Sequence, residues 1–517
     1  MIEEQVPEIL SALPKRISDA ITPWHERFPD RPALVESSGA WSYRQLSSAI
    51  GAARKWLVES GVRPGDRVML VCENCRAFVG ILLGLASFDA WPVLVNARLS
   101  AQEIDQIRDH SGARRIIYTV SVSPHAREHA KRHGASSHEV PEIGLIATSP
   151  LNEDSKVEPV EADGRDSVAA LIYTSGTTGK PKGVMLTHQG LLFVAAVSAR
   201  IRSLTPEDSL LGVLPMSHAV GLSVVLLGGL LSGASLHLAP RFDPVAVLSS
   251  LENGRLTVML GAPAMFGLFV DYTKMKGLRS RSFPALRIIA SAGAPLTASI
   301  KSEVEGLFGL TLHNGYGVTE CSPTIAQTRV ELPRADLSIG KVFPGVEVKL
   351  IGPDGSSVPE GQVGELCTRG PNMMKGYYRA PEETAAAIDP EGWYNTHDLA
   401  RFEDGNLFIV GRSKELIVRF GFNVYPAEVE ATISTHSAVA RCAVVGRPAE
   451  GEGGEEVVAF VELLKGVKVT APELADYATE KLAPYKRPSQ IFFVDVMPMT
   501  PTGKIRKEEL AERAIAR

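Results

Sequence analysis

A chain of 517 residues, 44% of them hydrophobic, is too long for one core, so two or more domains are expected. Its 54 Lys+Arg against 59 Asp+Glu leave a formal charge of -5, which excludes the global basic field that binds nucleic acid; any polyanion has to be met by local groups. Five scattered cysteines are an odd set rather than a disulfide framework, and the opening "MIEEQVPEIL" has no basic leader followed by an apolar run, so a cytoplasmic location is expected.

In chain order, a helical pattern ("SYRQLSSAIGAARKWLVESG") leads into a strand ("DRVMLVCEN"). Cys72 and Cys75 form a C-x-x-C there, but a zinc site needs two further ligands and the neighbourhood offers none, so both read as ordinary strand and helix-start residues. The stretch from Ser136 to Ser167, rich in Glu, Ser, Asp and Pro, reads as irregular loop. The short apolar runs "VAALIYT", "LTVMLGA" and "LRIIASAG" alternate with helical patterns, the signature of α/β units with parallel strands, whose ligands bind beyond the carboxyl ends of the strands. Between Asp208 and Arg241 there is no Asp, Glu, Lys or Arg, a length that could span a bilayer. Pro215, His218 and several glycines break that run into strand, loop, helix and strand, so a deep core is expected instead. From about Pro344, strand alternation around Pro-Asp-Gly and Asp-Gly-Asn predicts hairpins and a small all-β subdomain; past Gly411 mixed α/β patterning returns, with a domain boundary near Lys414.

The segment "YTSGTTGKPKG", Tyr173 to Gly183, follows one of those strands. It is not a Walker loop, because Lys180 is followed by Pro181 and Gly176 lies too close to Gly179. Glycines that let backbone N–H groups approach oxygens, the hydroxyls of Thr174, Ser175, Thr177 and Thr178, and the charges of Lys180 and Lys182 still make it able to enclose phosphates.

That segment resembles the phosphate loop of the adenylate-forming superfamily: acyl-CoA synthetases, amino-acid adenylation domains and luciferases. Further family-like segments follow in order, "SAGAPL", "NGYGVTE", "WYNTHDLA", "GRSKELI" and "PTGKIRK", spanning Tyr173 to Lys507, and "SYRQLSSAI" with "GVRPGDRVML" extends the match toward the N-terminus. The resemblance implies a large N-terminal domain, residues 1–411, of α/β subdomains with parallel sheets plus a small β-barrel-like subdomain at about 340–410. A smaller mobile α+β domain, residues 412–517, would follow, hinged at Lys414. It implies that Gly293, Ala294 and Pro295 line an adenine, that Asn314, Gly315, Tyr316 and Gly317 border it with Tyr316 stacking on the base, that Thr319 contacts the α-phosphate and that Glu320 holds Mg²⁺. Asp398 would accept from the ribose hydroxyls, Arg412 would make a second nucleotide contact, and Lys504 would reach the α-phosphate and the attacking carboxylate. Taken singly, Tyr316 reads better as a core aromatic, Glu320 as a solvated helix start and Lys504 as a solvated tail lysine.

The reaction so implied is attack of an organic carboxylate on ATP, releasing pyrophosphate, followed by transfer of the acyl group from AMP to coenzyme A. It needs alignment and charge neutralisation rather than a general base. The "RFGFNVYP" segment would face a pantetheine tunnel, where Phe420 stands before Gly421 in place of the usual Gly-Gly pair, and Lys507 replaces the usual Arg. His218 matches a gate beside the carboxylate, and the segments around Val220, Met265, Ala292, Gly315, Val318 and Pro323 carry no charge, which suits an apolar acid, aromatic or aliphatic. The alternatives are transfer to a carrier protein or another acceptor, a nucleotide-binding sensor, and a phosphatase, which would release orthophosphate. The sequence does not decide between a monomer and a homodimer.

Overall fold

The computed structural model describes residues 2–175, 181–278, 283–419, 422–449, 454–499 and 504–516. Two large sheets with parallel centres carry the N-terminal region. In the eight-stranded sheet, Arg115–Tyr118, Arg67–Cys72, Trp91–Asn96 and Val168–Ser175 lie side by side and parallel. Arg67–Cys72 and Trp91–Asn96 are buried at every position, as strands covered on both faces must be, which is why their stretches 68–72 and 91–95 read as unbroken apolar runs. Helix Tyr43–Glu59 starts at a capping box between Ser42 and Gln45 and packs against helix Arg76–Ala86. A Cβ on Gly84 would lie 2.8 Å from Ala53 Cβ, so the glycine sets how closely these helices approach. Cys72 ends a strand and Cys75 caps the N-terminus of helix Arg76–Ala86, both buried and unbridged, and no cluster of metal ligands occurs among the described residues.

One expectation is corrected at this sheet's edge. The first part of 136–167 is a hairpin, Ser136–Val140 against Gly144–Thr148, rather than loop. An edge hairpin with one face in water needs few apolar residues, so its composition mimics a loop.

The nine-stranded sheet has six parallel strands from Pro32–Glu36 to Leu312–Gly317, with antiparallel additions at both edges. The uncharged run folds into it as expected: strand Ser209–Gly212, a wide π-helical segment Val220–Leu227 continuing into Gly228–Leu231, and strand Ser235–Leu238. Among the described residues no helix is long and apolar enough to cross a membrane. The β-rich region is a four-stranded antiparallel sheet in which Tyr394–Glu403 and Asn406–Arg412 are joined through Asp404 and Gly405, with φ 50° and 67°, the left-handed pair of a type I′ hairpin. Beyond Arg412, a three-stranded sheet packs with helices Pro426–Ile433, Ala471–Lys481 and Lys507–Ile515. Its cores are built only from residues 417–514, whereas the large cores end at Leu407 and Ile409.

Candidate functional site

Strand Leu312–Gly317 leaves the nine-stranded sheet, passes a 3₁₀ turn Thr319–Cys321, and returns antiparallel as Thr324–Gln327. The return is so tight that a Cβ on Gly317 would sit 1.8 Å from the Pro323 carbonyl oxygen, so no larger residue fits there. The turn holds half-buried Thr319 beside Glu320, which is 8% exposed. The Tyr377 hydroxyl donates to Glu320 Oε1 at 2.9 Å, and Met374 N donates to the Glu320 carbonyl at 2.7 Å. Lys182, on strand Pro181–Thr187, places its Nζ 5.0 Å from the centroid of the Tyr377 ring.

Next to this corner, Asp398 and Arg412 face one another across the type I′ hairpin. Arg412 Nε donates to Asp398 Oδ1 at 2.9 Å, and the Tyr316 hydroxyl donates to Oδ2. Both carboxylate oxygens thus have a partner and keep a further lone pair for another donor. Burial, reinforced by the Asp398 charge, raises the Tyr316 pKa far above its ordinary value, so Tyr316 is a donor here as well as an aromatic face. Burial pulls the Arg412 pKa down, but Asp398 and Glu415 outweigh it and the net shift is upward.

Lys504, from the C-terminal region, lies within electrostatic range of the same groups. Its neighbour Ile505 forms an isolated β-bridge with Met499. Lys504 is open to solvent, yet the protein crowded around it depresses its pKa; Arg412 adds to the depression while Asp398 and Glu320 oppose it. These groups therefore share one electrostatic field, although 184 residues separate Glu320 from Lys504 (504 − 320).

His218 lies in the loop before the π-helical segment, half-buried, with Nε2 enclosed and without a hydrogen-bond partner among the described residues. Burial, and secondarily the Lys504 charge, push its pKa down to about 4, so the ring is neutral at pH 7. Two contacts hold this loop in shape. A Cβ on Gly221 would lie 2.2 Å from the Pro215 carbonyl oxygen, and Asn74, in the middle of the C-x-x-C, donates to the Gly212 and Leu214 carbonyls at 3.0 and 2.9 Å and accepts from Met216 N at 2.9 Å. Val220, Met265 and Val318 are half-buried against the same core.

Other expected residues have plainer places. Thr174 pairs with Lys182, and Ser175 with Pro181, at the mouth of the hairpin; Gly176, Thr177, Thr178, Gly179, Lys180, Phe420 and Gly421 lie outside the described residues. Gly293, followed by Ala294 and Pro295, has φ 88° after strand Ile288–Ser291, and a Cβ there would meet nothing. The turn itself requires that glycine, since no neighbouring protein atom does. Asn314 is buried and its Nδ2 lies 3.5 Å from the Leu337 and Ser338 carbonyls, while a Cβ on Gly315 would make only ordinary contact with Gln327. Lys507 makes ion pairs with Glu415 at 2.7 Å and Glu430 at 2.8 Å, tying the last helix to the turn Ser413–Glu415 that includes Lys414. Tyr377, Asn74 and Tyr394, which lies close enough to Glu320 and Tyr377 for their charges to raise its pKa beyond the effect of burial, were not singled out from sequence. None has a periodicity or a charged partner in sequence to mark it.

Two family models match the chain: one described as AMP-binding enzyme over residues 21–378, and one described as AMP-binding enzyme C-terminal domain over residues 428–504. The chain is 35% identical over 490 residues to a feruloyl-CoA synthase of Amycolatopsis sp, covering 94% of this chain and 96% of the relative. It is 33% identical over 512 residues to a 4-coumarate–CoA ligase of Pinus taeda, covering 95% and 93%. The fold matches the ATP-bound crystal structure of MatB from Rhodopseudomonas palustris with a TM-score of 0.83 at 28% identity, covering 96% of this chain and 98% of that one.

Proposed function

Because the chain belongs to the AMP-binding enzyme family, as an acid–thiol ligase that forms an acyl-adenylate and then an acyl-CoA, we propose that its substrate is an apolar aromatic acid such as ferulate or 4-coumarate. The reading is supported by the half-buried, uncharged side chains of Val220, Met265 and Val318, packed against one hydrophobic core, and by the neutral ring of His218, which suit an apolar acid.

In the first step the acid's carboxylate attacks the α-phosphorus of ATP and pyrophosphate leaves. The observation that carries this assignment is the hydrogen-bonded grouping of Glu320 with Tyr377 and of Asp398 with Tyr316 and Arg412, with Lys504 within electrostatic range of it. Lys504 offsets the negative charge gathering between the carboxylate and the phosphate, and Lys182 does so at the phosphate loop. Asp398, oriented by Arg412 and Tyr316, accepts from the ribose. Glu320 is the residue to hold Mg²⁺: a single buried carboxylate, with no three-ligand cluster among the described residues, fits an ion shared with nucleotide phosphates rather than a resident protein-caged metal. When bound, that ion supplies charge neutralisation on the phosphates.

For the second step, residues 412–517 act as a mobile domain hinged at Lys414, withdrawing Lys504 and presenting the face around Phe422 and Tyr485, whose rings stack at 4.7 Å, to coenzyme A. The separate hydrophobic cores on either side of Lys414 support this. The five unbridged, buried cysteines suit a cytoplasmic location. The test is a panel of aromatic and aliphatic acids assayed for pyrophosphate release and for thioester with and without CoA. Strong release with ferulate or 4-coumarate supports the assignment, stronger release with aliphatic acids corrects the substrate, and adenylate without thioester points to another acceptor.

A further inference from the structure

We propose that Tyr377 is a positioning residue that holds the carboxylate of Glu320 and the ammonium of Lys182 in one frame, so that metal binding and phosphate contact are coupled through a single side chain. This rests on the reading of Glu320 as the Mg²⁺-binding carboxylate. The phenol hydroxyl donates to Glu320 Oε1 at 2.9 Å, and the ring centroid stands 5.0 Å from Lys182 Nζ. The hydroxyl engages the carboxylate without cancelling its charge, and the ring face attracts the lysine without pairing with it, so both groups stay available for ligands.

The backbone reinforces this frame. Tyr377 and Gly376 pair in register with Val184 and Met185, adding the short strand Gly376–Tyr377 to the edge formed by the strand that carries Lys182. Tyr378 N donates to the Gly183 carbonyl at 2.7 Å, while three residues before Tyr377, Met374 N donates at 2.7 Å to the Glu320 carbonyl. Residues 374–378 thus join the turn holding Glu320 to the strand leaving the phosphate loop. The Tyr377 residue is 8% exposed and its own N–H donates to Thr384 Oγ1 at 2.9 Å, which leaves the side chain little room to reorient.

The test compares the full-length wild-type chain with Tyr377→Phe, Tyr377→Leu and Glu320→Gln, measuring Mn²⁺ binding by electron paramagnetic resonance in the presence of a non-hydrolysable ATP analogue. The Phe variant keeps the ring and loses the donor to Glu320; it is expected to raise the half-saturating metal concentration about tenfold, the lower end of the range for outer-layer partners of a metal ligand. Metal-free affinity for the analogue should be unchanged in Tyr377→Phe and weakened about two- to fivefold in Tyr377→Leu, which also loses the ring beside Lys182. Thioester formation from preformed acyl-adenylate, and the melting temperature of the Phe variant, should stay at wild-type values. An unchanged metal requirement in Tyr377→Phe alongside a raised one in Glu320→Gln overturns the role of Tyr377 alone. Unchanged metal binding in Glu320→Gln overturns the assignment of Glu320 and this inference with it. Equal loss of both half-reactions in Tyr377→Phe would reduce the residue to a structural role.

Discussion

The groups around Asp398 and Glu320 and the segment bearing Lys504 are held by opposite means. Asp398 and Glu320 are tied by hydrogen bonds to Tyr316, Arg412 and Tyr377 on neighbouring strands. Lys504 comes from a region with its own cores and meets those groups through their shared field. Fixed groups suit a ligand part that stays through both half-reactions, the adenosine; a charge delivered from a separate core suits a step that must be switched off afterwards. The contrast makes distinct predictions for substitutions on each side.

The largest effect is expected for Lys504→Ala. Loss of one preorganised charge should slow pyrophosphate release by roughly two to three orders of magnitude, while conversion of preformed acyl-adenylate to thioester proceeds; equal losses in the two assays would break the contrast. Asp398→Ala, on the fixed side, should hinder both half-reactions. Removing a carboxylate with a charge-assisted partner should raise the KM for ATP by about ten- to a hundredfold, read by initial rates at saturating acid. Asn74→Ala lies further out. Freeing the loop before His218 should raise the KM for the acid by roughly tenfold, the scale of one to two net hydrogen bonds, and leave the KM for ATP alone; an equal rise in both would deny Asn74 its link to the acid pocket.

The smallest effect concerns pH. Burial lowers the pKa of His188 to about 3 and of His218 and His313 to about 4, from an ordinary 6.5. Between these limits the unfolded chain binds protons that the folded chain refuses, so stability is fully present above pH 6.5 and falls as the pH drops toward 4. His188 Nδ1 accepts from Ile17 N at 3.1 Å, and His188→Gln should make denaturant midpoints less sensitive to pH between 6.5 and 4. On the catalytic side, neutral His218 predicts that adenylation shows no inflection near pH 6.5 arising from this residue.

Legibility from sequence followed the same division. Buried parallel strands such as Arg67–Cys72 announce themselves, because both faces must be apolar. The Asp404-Gly405 turn is legible because few residues besides glycine and aspartate accept its φ values. The hairpin at 136–148 was hidden because an edge strand in water lacks that demand. Glu320, Asp398 and Lys504 stand out in the sequence as candidates only through ordered family-like segments. Tyr377 and Asn74 do not, since each works by reaching atoms far away in the chain: 57 residues from Tyr377 to Glu320, and 138 and 140 from Asn74 to Gly212 and Leu214.

By itself the sequence determined the α/β alternation, the change of character after Gly411 and the chemical types available to a site, because these depend on local periodicity, on turn residues and on side-chain chemistry. Only the tertiary structure decided that Tyr316 and Arg412 both engage Asp398, that Tyr377 stands between Glu320 and Lys182, and that Lys507 anchors the last helix to Glu415 and Glu430. The physical reason is range: a hydrogen bond or ion pair is made over a few ångströms, and which distant residues come that close depends on how the sheets and helices pack.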